Sequence, residues 1–168
     1  MKQKTIQALK WIVTLLEQNK IPFHITGGLA AKLYGSPRPL YDIDLEVPEK
    51  YFPQLSTLVD DKIIFGPKRY NDGVFDVLLI TLEYSGQKID ISGYGSEKNY
   101  NKSKKRWESF SNADNTVIIE VFNIKFPVIV KPDLIAYKKK IGRPTDLVDI
   151  EAITKADNKF NNVKNNES

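Results

Sequence analysis

The sequence predicts one α+β domain in which helices flank a mixed, twisted β-sheet. Its 168 residues suit a single domain, and helical and strand-like segments alternate along the chain without an internal repeat. Residues 1–157 are expected to form this domain, because the predicted helices and strands extend that far. The Asn- and Lys-rich segment 158–168 lacks their periodicity, which predicts a flexible tail.

In the first half of the chain, the spacing of apolar residues predicts alternating helices and strands. Ile6, Leu9, Val13 and Leu16 recur at the spacing of one helix face, whereas residues 40–47 alternate apolar and acidic side chains with the period of a strand. The predicted elements are a helix over residues 3–19, a strand over 22–26, a helix over 29–34, a strand over 40–47, a helix over 48–59 and a strand over 63–65.

In the second half of the chain, two hairpins and two helices are predicted. The Ser85-Gly86 turn joins the strands of the first hairpin. Pro132 and Pro144 are each placed to begin a helix, and Gly142 separates the two. The polar, basic segment 93–115 follows neither periodicity and carries no prediction. The predicted hairpins pair residues 74–83 with 87–92 and residues 117–122 with 125–130.

The composition excludes several classes of protein. Hydrophobic residues make up 41% and charged residues 27% of the chain, which is ordinary for a globular protein. The absence of cysteine excludes a disulfide framework and a thiolate metal site. No segment approaches the ~20 consecutive apolar residues of a membrane helix, and the N-terminus lacks the features of a signal peptide. A cytoplasmic protein without a membrane partner is therefore expected.

Positive charge is concentrated in two runs of the sequence. The formal net charge is +4 and the isoelectric point is near 9.1. Such runs suit a local phosphate site at least as well as a long nucleic-acid groove, and a solvated surface is the alternative. The first run consists of Lys102, Lys104, Lys105 and Arg106, and the second of Lys138, Lys139, Lys140 and Arg143.

Two carboxylates lie on one face of the strand predicted over residues 40–47. Because successive side chains of a strand point to opposite faces, Asp42 and Asp44 share one face and Ile43 takes the other. Adjacent carboxylates repel each other unless a cation lies between them, and Mg²⁺ prefers such oxygen ligands. The pattern predicts a magnesium site, with a plain solvent-facing strand as the alternative. Glu46 continues the same face but lies farther along the strand.

A third carboxylate is predicted on a neighbouring strand. Asp90 lies in residues 88–91, which show the same alternation, and from there it can bind a second metal ion or act as a general base. Its carboxylate is expected within ~8 Å of those of Asp42 and Asp44, which leaves room for a metal ion and a hydroxyl group of a substrate. Asp76, on the preceding hairpin strand, is the rival for this position.

A glycine pair ends the first predicted strand. Gly27 and Gly28 follow Thr26 and precede a short helix, so backbone N–H groups and the helix N-terminus can approach a phosphate. An ordinary strand-to-helix turn is the alternative. The combination of this glycine pair with Arg38 and the Asp-x-Asp strand is more specific than either half alone.

Residues 26–45, which contain Thr-Gly-Gly-Leu-Ala-Ala, then Arg38 and Asp-Ile-Asp-Leu, resemble the signature of the DNA polymerase β-type nucleotidyltransferase superfamily. Within it, the sequence is most similar to small lincosamide and aminoglycoside adenylyltransferases and to nucleotidyltransferases of abortive-infection systems. Residues 134–138 and 142–150 resemble the closing pair of helices of the same group. These motifs together cover roughly a third of the chain in the expected order.

The resemblance implies the nucleotidyltransferase fold and a Mg²⁺-dependent transfer of an NMP group, with AMP the expected one, from a nucleoside triphosphate to a hydroxyl acceptor. Two Mg²⁺ ions are expected when the triphosphate is bound. Asp149 is expected near Lys138 as its ion-pair partner. The implied metal-binding and catalytic residues are Asp42, Asp44 and Asp90. The implied nucleotide-binding residues are Thr26, Gly27, Gly28, Arg38 and Lys138.

The sequence leaves the acceptor and two other functions open. The acceptor is a small molecule or a macromolecule, and loops, a second copy or a partner protein can complete its pocket. The protein can instead be an antitoxin-like or regulatory binding module of the same fold, or a nucleic-acid-binding protein that uses the first basic run. His24, the single histidine, is expected to be a packed strand residue. Candidate residues of the acceptor pocket are Tyr34, Tyr94, Tyr100 and Trp107.

Overall fold

Eight strands and five helices make up the described part of the chain, which in the computed structural model comprises residues 1–109 and 115–165, with side chains to residue 156. The helices are α1 (Gln3–Gln18), α2 (Gly27–Leu33), α3 (Phe52–Leu58), α4 (Lys131–Ile141) and α5 (Pro144–Asn165). The strands are β1 (His24–Ile25), β2 (Asp42–Pro48), β3 (Ile63–Asn71), β4 (Phe75–Tyr84), β5 (Gln87–Asn101), β6 (Arg106–Ser109), β7 (Thr116–Val121) and β8 (Ile124–Ile129).

The strands form one mixed sheet in the order β3-β4-β5-β2-β1-β8-β7, and β6 pairs with the end of β5. Strands β2 and β5 are parallel, and Asp44 lies opposite Asp90 in their register. The short strand β1 is antiparallel to β2 and parallel to β8. Both predicted hairpins are present as β4–β5 and β7–β8. The mixed sheet with flanking helices confirms the predicted fold class.

The hydrophobic core fixes which residues of β2 and β5 face away from it. Ile43, Leu45, Ile89 and Ile91 are fully buried beneath the apolar face of α1. Burying each such side chain contributes about 1.5–3 kcal/mol, and a one-residue slip of either strand would exchange its apolar and acidic faces. The core therefore holds the aspartates of both strands on the opposite face of the sheet.

Strands β3 and β5 extend well beyond the segments that periodicity predicts, whereas β1 covers only His24–Ile25 of the predicted 22–26. Strand β5 continues to Asn101, through a segment for which the sequence carried no prediction. The buried residues of this segment are polar, so the apolar alternation that indicates a strand is missing. Between the pairs Leu78–Gly93 and Asp76–Lys98 the register shifts, so β5 contains a bulge. The extra residues reverse the alternation of its side chains, which turns Glu97 to the face that carries Asp90.

Helix α5 continues into the segment predicted to be a flexible tail. It extends to Asn165, whereas residues 166–168 lie outside the described residues, and the flexibility of the tail stays a prediction. None of the helices in the described ranges combines the length and the apolar composition needed to cross a membrane.

Candidate active site

Three carboxylates converge on the face of the sheet opposite α1. Asp42 and Asp44 extend from β2 and Asp90 from β5, and each offers an oxygen within 4.8 Å of the other two. This confirms the predicted proximity of Asp90 to the pair. Three oxygen ligands at this separation fit a hard divalent cation such as Mg²⁺.

The concentration of negative charge changes the protonation of these groups. Burial and the charge of Asp42 raise the pKa of Asp44 to about 7, although a hydrogen bond from Gly28 opposes the shift. Burial also raises the pKa of Asp90, against a hydrogen bond from Thr81. A cation between the carboxylates would remove the repulsion that contributes to both shifts.

The glycine turn lies directly against Asp44. The Gly28 N–H donates to Asp44 Oδ2 at 2.8 Å, and Gly27 has a positive φ of 57°. A Cβ added at Gly27 would lie 2.2 Å from Asp44 Oδ2, so only glycine allows this close approach. The predicted turn and the predicted carboxylate strand thus form one site.

Asp76, the rival third carboxylate, lies elsewhere. Its Oδ1 accepts a hydrogen bond from Arg69 Nε at 2.6 Å, and this interaction lowers the pKa of Asp76. In the register of β4 and β5 it is paired with Lys98, at the far end of the strand from Asp90. Of the two candidates, Asp90 is therefore the one that joins the cluster.

His24 and Glu46 form a pair beside the cluster. His24 is 2% exposed, and its Nε2 lies 3.0 Å from Glu46 Oε2. The burial confirms that His24 is a packed strand residue. Glu46 lines the same cleft as Asp44 but lies outside the group of three carboxylates whose oxygens converge.

A buried ion-pair network forms a wall of the cleft beside the glycine turn. Lys138 Nζ lies 2.9 Å from Asp149 and 3.2 Å from Asp146, and all three side chains are buried. Arg38 makes two hydrogen bonds of 2.8 Å to Asp149, and Arg143 Nε donates to Asp146 at 2.8 Å. The predicted proximity of Asp149 and Lys138 is confirmed.

This network turns two guanidinium groups toward the cleft. The side chains of Arg38 and Arg143 are 25% and 43% exposed, whereas Lys138 is only 1% exposed. The hydrogen bond to Asp149 keeps the pKa of Arg38 above its usual value, and the one to Asp146 does the same for Arg143. Both groups therefore present a permanent positive charge near the carboxylates.

The cleft between these walls has a volume of about 700 Å³. Tyr34, which was predicted to line it, instead donates from its hydroxyl to the Ile129 carbonyl and belongs to the packing of α2 on β8. Tyr100 and Trp107 form an edge-to-face pair on the β5–β6 hairpin, and Tyr94 lies beside His24. The aromatic residues that line the cleft, in the described part of the chain, are Tyr41, Phe65, Tyr70, Phe75 and Tyr137.

Sequence reasoning did not assign several polar residues of this cleft to the site, among them Glu97 and Arg143. Glu97 is 6% exposed, and its Oε1 has no hydrogen-bond partner among the described residues. The bulge in β5 that places it was not visible in the sequence. Arg143 was counted as part of a basic run, although Asp146 follows it by three residues and the intervening Pro144 begins a helix, which is a recognisable signal for a local ion pair.

No protein-family model matches the sequence, and a search of curated proteins also gives no match. Among solved structures, a protein of Thermotoga maritima whose own assignment as a nucleotidyltransferase is provisional shares 19% identity. The two align over 95% of this chain and 96% of that chain with a TM-score of 0.73. The chain has the nucleotidyltransferase fold.

Two further solved structures have the same nucleotidyltransferase fold. A lincosamide adenylyltransferase bound to lincomycin is 19% identical over 89% of this chain and 96% of that chain, with a TM-score of 0.59. The resistance factor ANT(2″)-Ia, in complex with adenylyl-2″-tobramycin, is 13% identical over 90% of this chain and 88% of that chain, with a TM-score of 0.58. At these identities the likeness establishes the fold, and it confirms the predicted one.

Proposed function

We propose that the protein is a Mg²⁺-dependent nucleotidyltransferase that moves an NMP group, with AMP the expected one, from a nucleoside triphosphate to a hydroxyl acceptor. The observation that carries this proposal is the convergence of Asp42, Asp44 and Asp90 beside a turn in which only glycine fits. The complex of ANT(2″)-Ia with adenylyl-2″-tobramycin supports an adenylyl transfer in a protein of this fold. Residues 1–157 would form one catalytic domain.

The nucleotide would bind along the glycine turn and the neighbouring ion-pair wall. Thr26, Gly27, Gly28, Arg38 and Lys138 all line the cleft, and Arg38 Nη2 lies 3.9 Å from the position that a Cβ at Gly28 would occupy. Arg38 and the additional residue Arg143 offer exposed guanidinium groups, whose fork geometry suits phosphate oxygens. Lys138 contributes positive potential from its buried position between Asp146 and Asp149.

The three carboxylates would hold Mg²⁺ and the attacking group. Bound at these oxygens, Mg²⁺ supplies Lewis-acid stabilisation of the negative charge on the phosphate. The acceptor hydroxyl oxygen forms a bond to the α-phosphorus, the bond from that phosphorus to the leaving oxygen breaks, and pyrophosphate departs. Asp90, whose pKa is raised by burial, would accept the hydroxyl proton.

Transfer of labelled nucleotide tests this proposal directly. Each of the four nucleoside triphosphates, labelled at the α-phosphate, would be incubated with Mg²⁺ and candidate acceptors, beginning with lincomycin and tobramycin. Asp42→Asn and Asp44→Asn are expected to abolish transfer without unfolding the protein. Asp76→Asn is the matched control, because Asp76 is a strand carboxylate outside the cluster. Equal turnover in all three variants would contradict the site assignment.

A further inference from the structure

An irregularity of β5 carries Glu97 to the wall of the cleft. Where the register of β4 and β5 shifts, a single residue of β4, Val77, lies opposite residues 94–97 of β5. Gly95, within this bulge, has a positive φ of 128°, a conformation that glycine adopts without steric cost. Glu97 is the last residue of the bulge, and it lines the cleft together with Val77.

The carboxylate of Glu97 is only half satisfied within the chain. Glu97 is 6% exposed, and its Oε2 accepts a hydrogen bond from the Gly95 N–H at 2.5 Å. Its Oε1 has no hydrogen-bond partner among the described residues, which is costly for a buried carboxylate oxygen. The last torsion of a glutamate side chain is broad, so a small rotation turns this oxygen toward the cleft. A bound molecule can therefore supply the missing donor.

The surroundings of Glu97 favour a hydrogen-bond donor over an acceptor. Burial raises the pKa of Glu97, and the charges of Glu46 and Glu49 add to this shift, whereas the hydrogen bond from Gly95 opposes it. Glu46 also lines the cleft. A carbonyl or phosphate oxygen would be repelled by these carboxylates, whereas the positive end of an N–H bond is attracted to them.

The position of Glu97 along the sheet limits which ligand can reach it from the metal-binding carboxylates. Thr81 of β4 is paired with Asp90, and Val77, opposite the bulge, lies four residues away on the same strand. At about 3.3 Å per residue, Asp90 and Glu97 are separated by roughly 13 Å along the sheet. A purine nucleotide whose α-phosphate lies at the carboxylates spans a distance of this order with its base. A pyrimidine base reaches less far.

We propose that Glu97 determines which nucleobase binds, because its carboxylate accepts a hydrogen bond from the exocyclic amino group of adenine in the bound triphosphate. This inference rests on the proposed function, since it requires a nucleotide in the cleft. Tyr137 of α4 lines the cleft and offers an aromatic ring to the face of the base, a contact that does not depend on base identity. Inosine triphosphate carries a carbonyl in place of the amino group and is rejected, because two acceptor oxygens would face each other.

The binding of three purine triphosphates to the unmodified protein tests this inference without any variant. ATP, inosine triphosphate and the triphosphate of unsubstituted purine riboside carry an amino group, a carbonyl and a hydrogen, respectively, at C6 of the base. Isothermal titration calorimetry at millimolar Mg²⁺, without an acceptor, measures their dissociation constants. We expect ATP to bind at least about tenfold more tightly than inosine triphosphate, with purine riboside triphosphate between the two.

The variant Glu97→Gln identifies the residue responsible for this preference. It keeps the size of the side chain but replaces one carboxylate oxygen with an N–H₂ donor, which can bind the carbonyl of inosine triphosphate. We expect the ratio of the two dissociation constants to fall about tenfold. A residue with only a structural role would weaken the binding of both nucleotides and leave their ratio unchanged. The matched control is Glu83→Gln, which removes the same charge from an exposed position of β4 outside the cleft and should keep the ratio of the unmodified protein.

The possible outcomes separate this inference from the proposed function. Equal affinities for ATP and inosine triphosphate, or an unchanged ratio in Glu97→Gln, would overturn the role of Glu97 and leave the proposed function intact. If none of the triphosphates binds, both are overturned. A Glu97→Gln protein that keeps the ratio but transfers the nucleotide to a different acceptor would assign Glu97 to the acceptor and overturn its role at the base.

Discussion

At the scale of single residues, the site depends on a glycine that nothing larger can replace. Gly27 combines a left-handed backbone with the closest approach to Asp44, so one residue type solves both a conformational and a steric requirement. Gly86 has a comparable φ of 75° in the β4–β5 turn, but a Cβ there would meet nothing within 4 Å. Substitution of Gly86 therefore tests backbone strain alone, whereas substitution of Gly27 tests backbone strain together with a steric clash.

Gly27→Ala is expected to disable the site, whereas Gly86→Ala is expected to affect only stability. Each substitution costs roughly 1–2 kcal/mol of unfolding free energy for the left-handed backbone. Only Gly27→Ala also displaces the Asp44 carboxylate, and a misplacement of about 1 Å can lower turnover roughly 100-fold. Chemical denaturation and turnover of both variants check this. A turnover loss of equal size in Gly86→Ala would contradict the steric explanation.

The raised pKa of Asp44 predicts a specific pH dependence in the metal-free protein. The pKa is about 7 in the folded chain and ~3.9 in an unfolded one, so the folded state binds the additional proton between these values. Stability relative to Asp44→Asn should therefore fall as pH rises from about 4 to about 7. In EDTA, we expect Asp44→Asn to gain about 2 kcal/mol over the unmodified protein between pH 5 and pH 8.

Denaturation curves of the two proteins at both pH values measure this difference. Asp76→Asn is the control, because Arg69 lowers the pKa of Asp76 and the sign is therefore opposite. Its variant should show no gain over this range. A difference between Asp44→Asn and the unmodified protein that does not change with pH would show that Asp44 is ionised throughout.

At the scale of elements, the parts of the site that local patterns specify could be predicted, and the parts that long-range packing specifies could not. The alternation of apolar and acidic residues in β2 and β5 predicts which side chains face away from the core, and the core enforces it. The bulge that turns Glu97 into the cleft arises where β5 and β4 fall out of register, and no local pattern encodes that. The two basic runs meet where the Lys102 N–H donates to the Lys140 carbonyl, which is also a long-range contact.

The docking of α5 depends on the buried carboxylate of Asp149. This group accepts hydrogen bonds from Ser36 and Arg38 and pairs with Lys138, so it joins α5 to α4 and to the segment after α2. These partners hold the pKa of Asp149 well below its usual range. Its contribution to stability is therefore fully present above about pH 4 and is lost only as the solution becomes strongly acidic.

Asp149→Asn is expected to destabilise the fold by about 3 kcal/mol, because it removes the carboxylate that pairs with Arg38 and leaves Asp146 as the remaining charged partner of the buried Lys138. The matched control is Glu151→Gln on the same helix, which removes an exposed pair with Lys155 and should leave the free energy of unfolding almost unchanged, because solvent screens that pair. Urea denaturation at neutral pH measures both. Equal effects would show that the buried network contributes no more than an exposed helix pair.

At the scale of the whole molecule, the cleft joins acidic side chains of the sheet to a basic wall of Arg38, Lys138 and Arg143, which the carboxylates of α5 hold in place. The charges of these two groups of residues do not neutralise each other, because the pKa of Asp44 is raised while Arg38 and Arg143 remain partly exposed. A ligand that brings both a divalent cation and phosphate oxygens complements the two walls together. The charge distribution of the fold thus favours a metal–nucleotide complex over either component alone.

Mg²⁺ with a nucleoside triphosphate is therefore expected to raise the melting temperature more than the sum of their separate effects. A ligand at about 100 times its dissociation constant adds about 2.7 kcal/mol to the native state. For a chain of this size that corresponds to a rise of roughly 5–10 °C. Thermal unfolding with Mg²⁺ alone, nucleotide alone and both together measures the coupling. Asp42→Asn should lose most of the combined shift and Asp76→Asn should keep it. If none of the four nucleotides shifts the transition at millimolar Mg²⁺, the two walls do not form a nucleotide site.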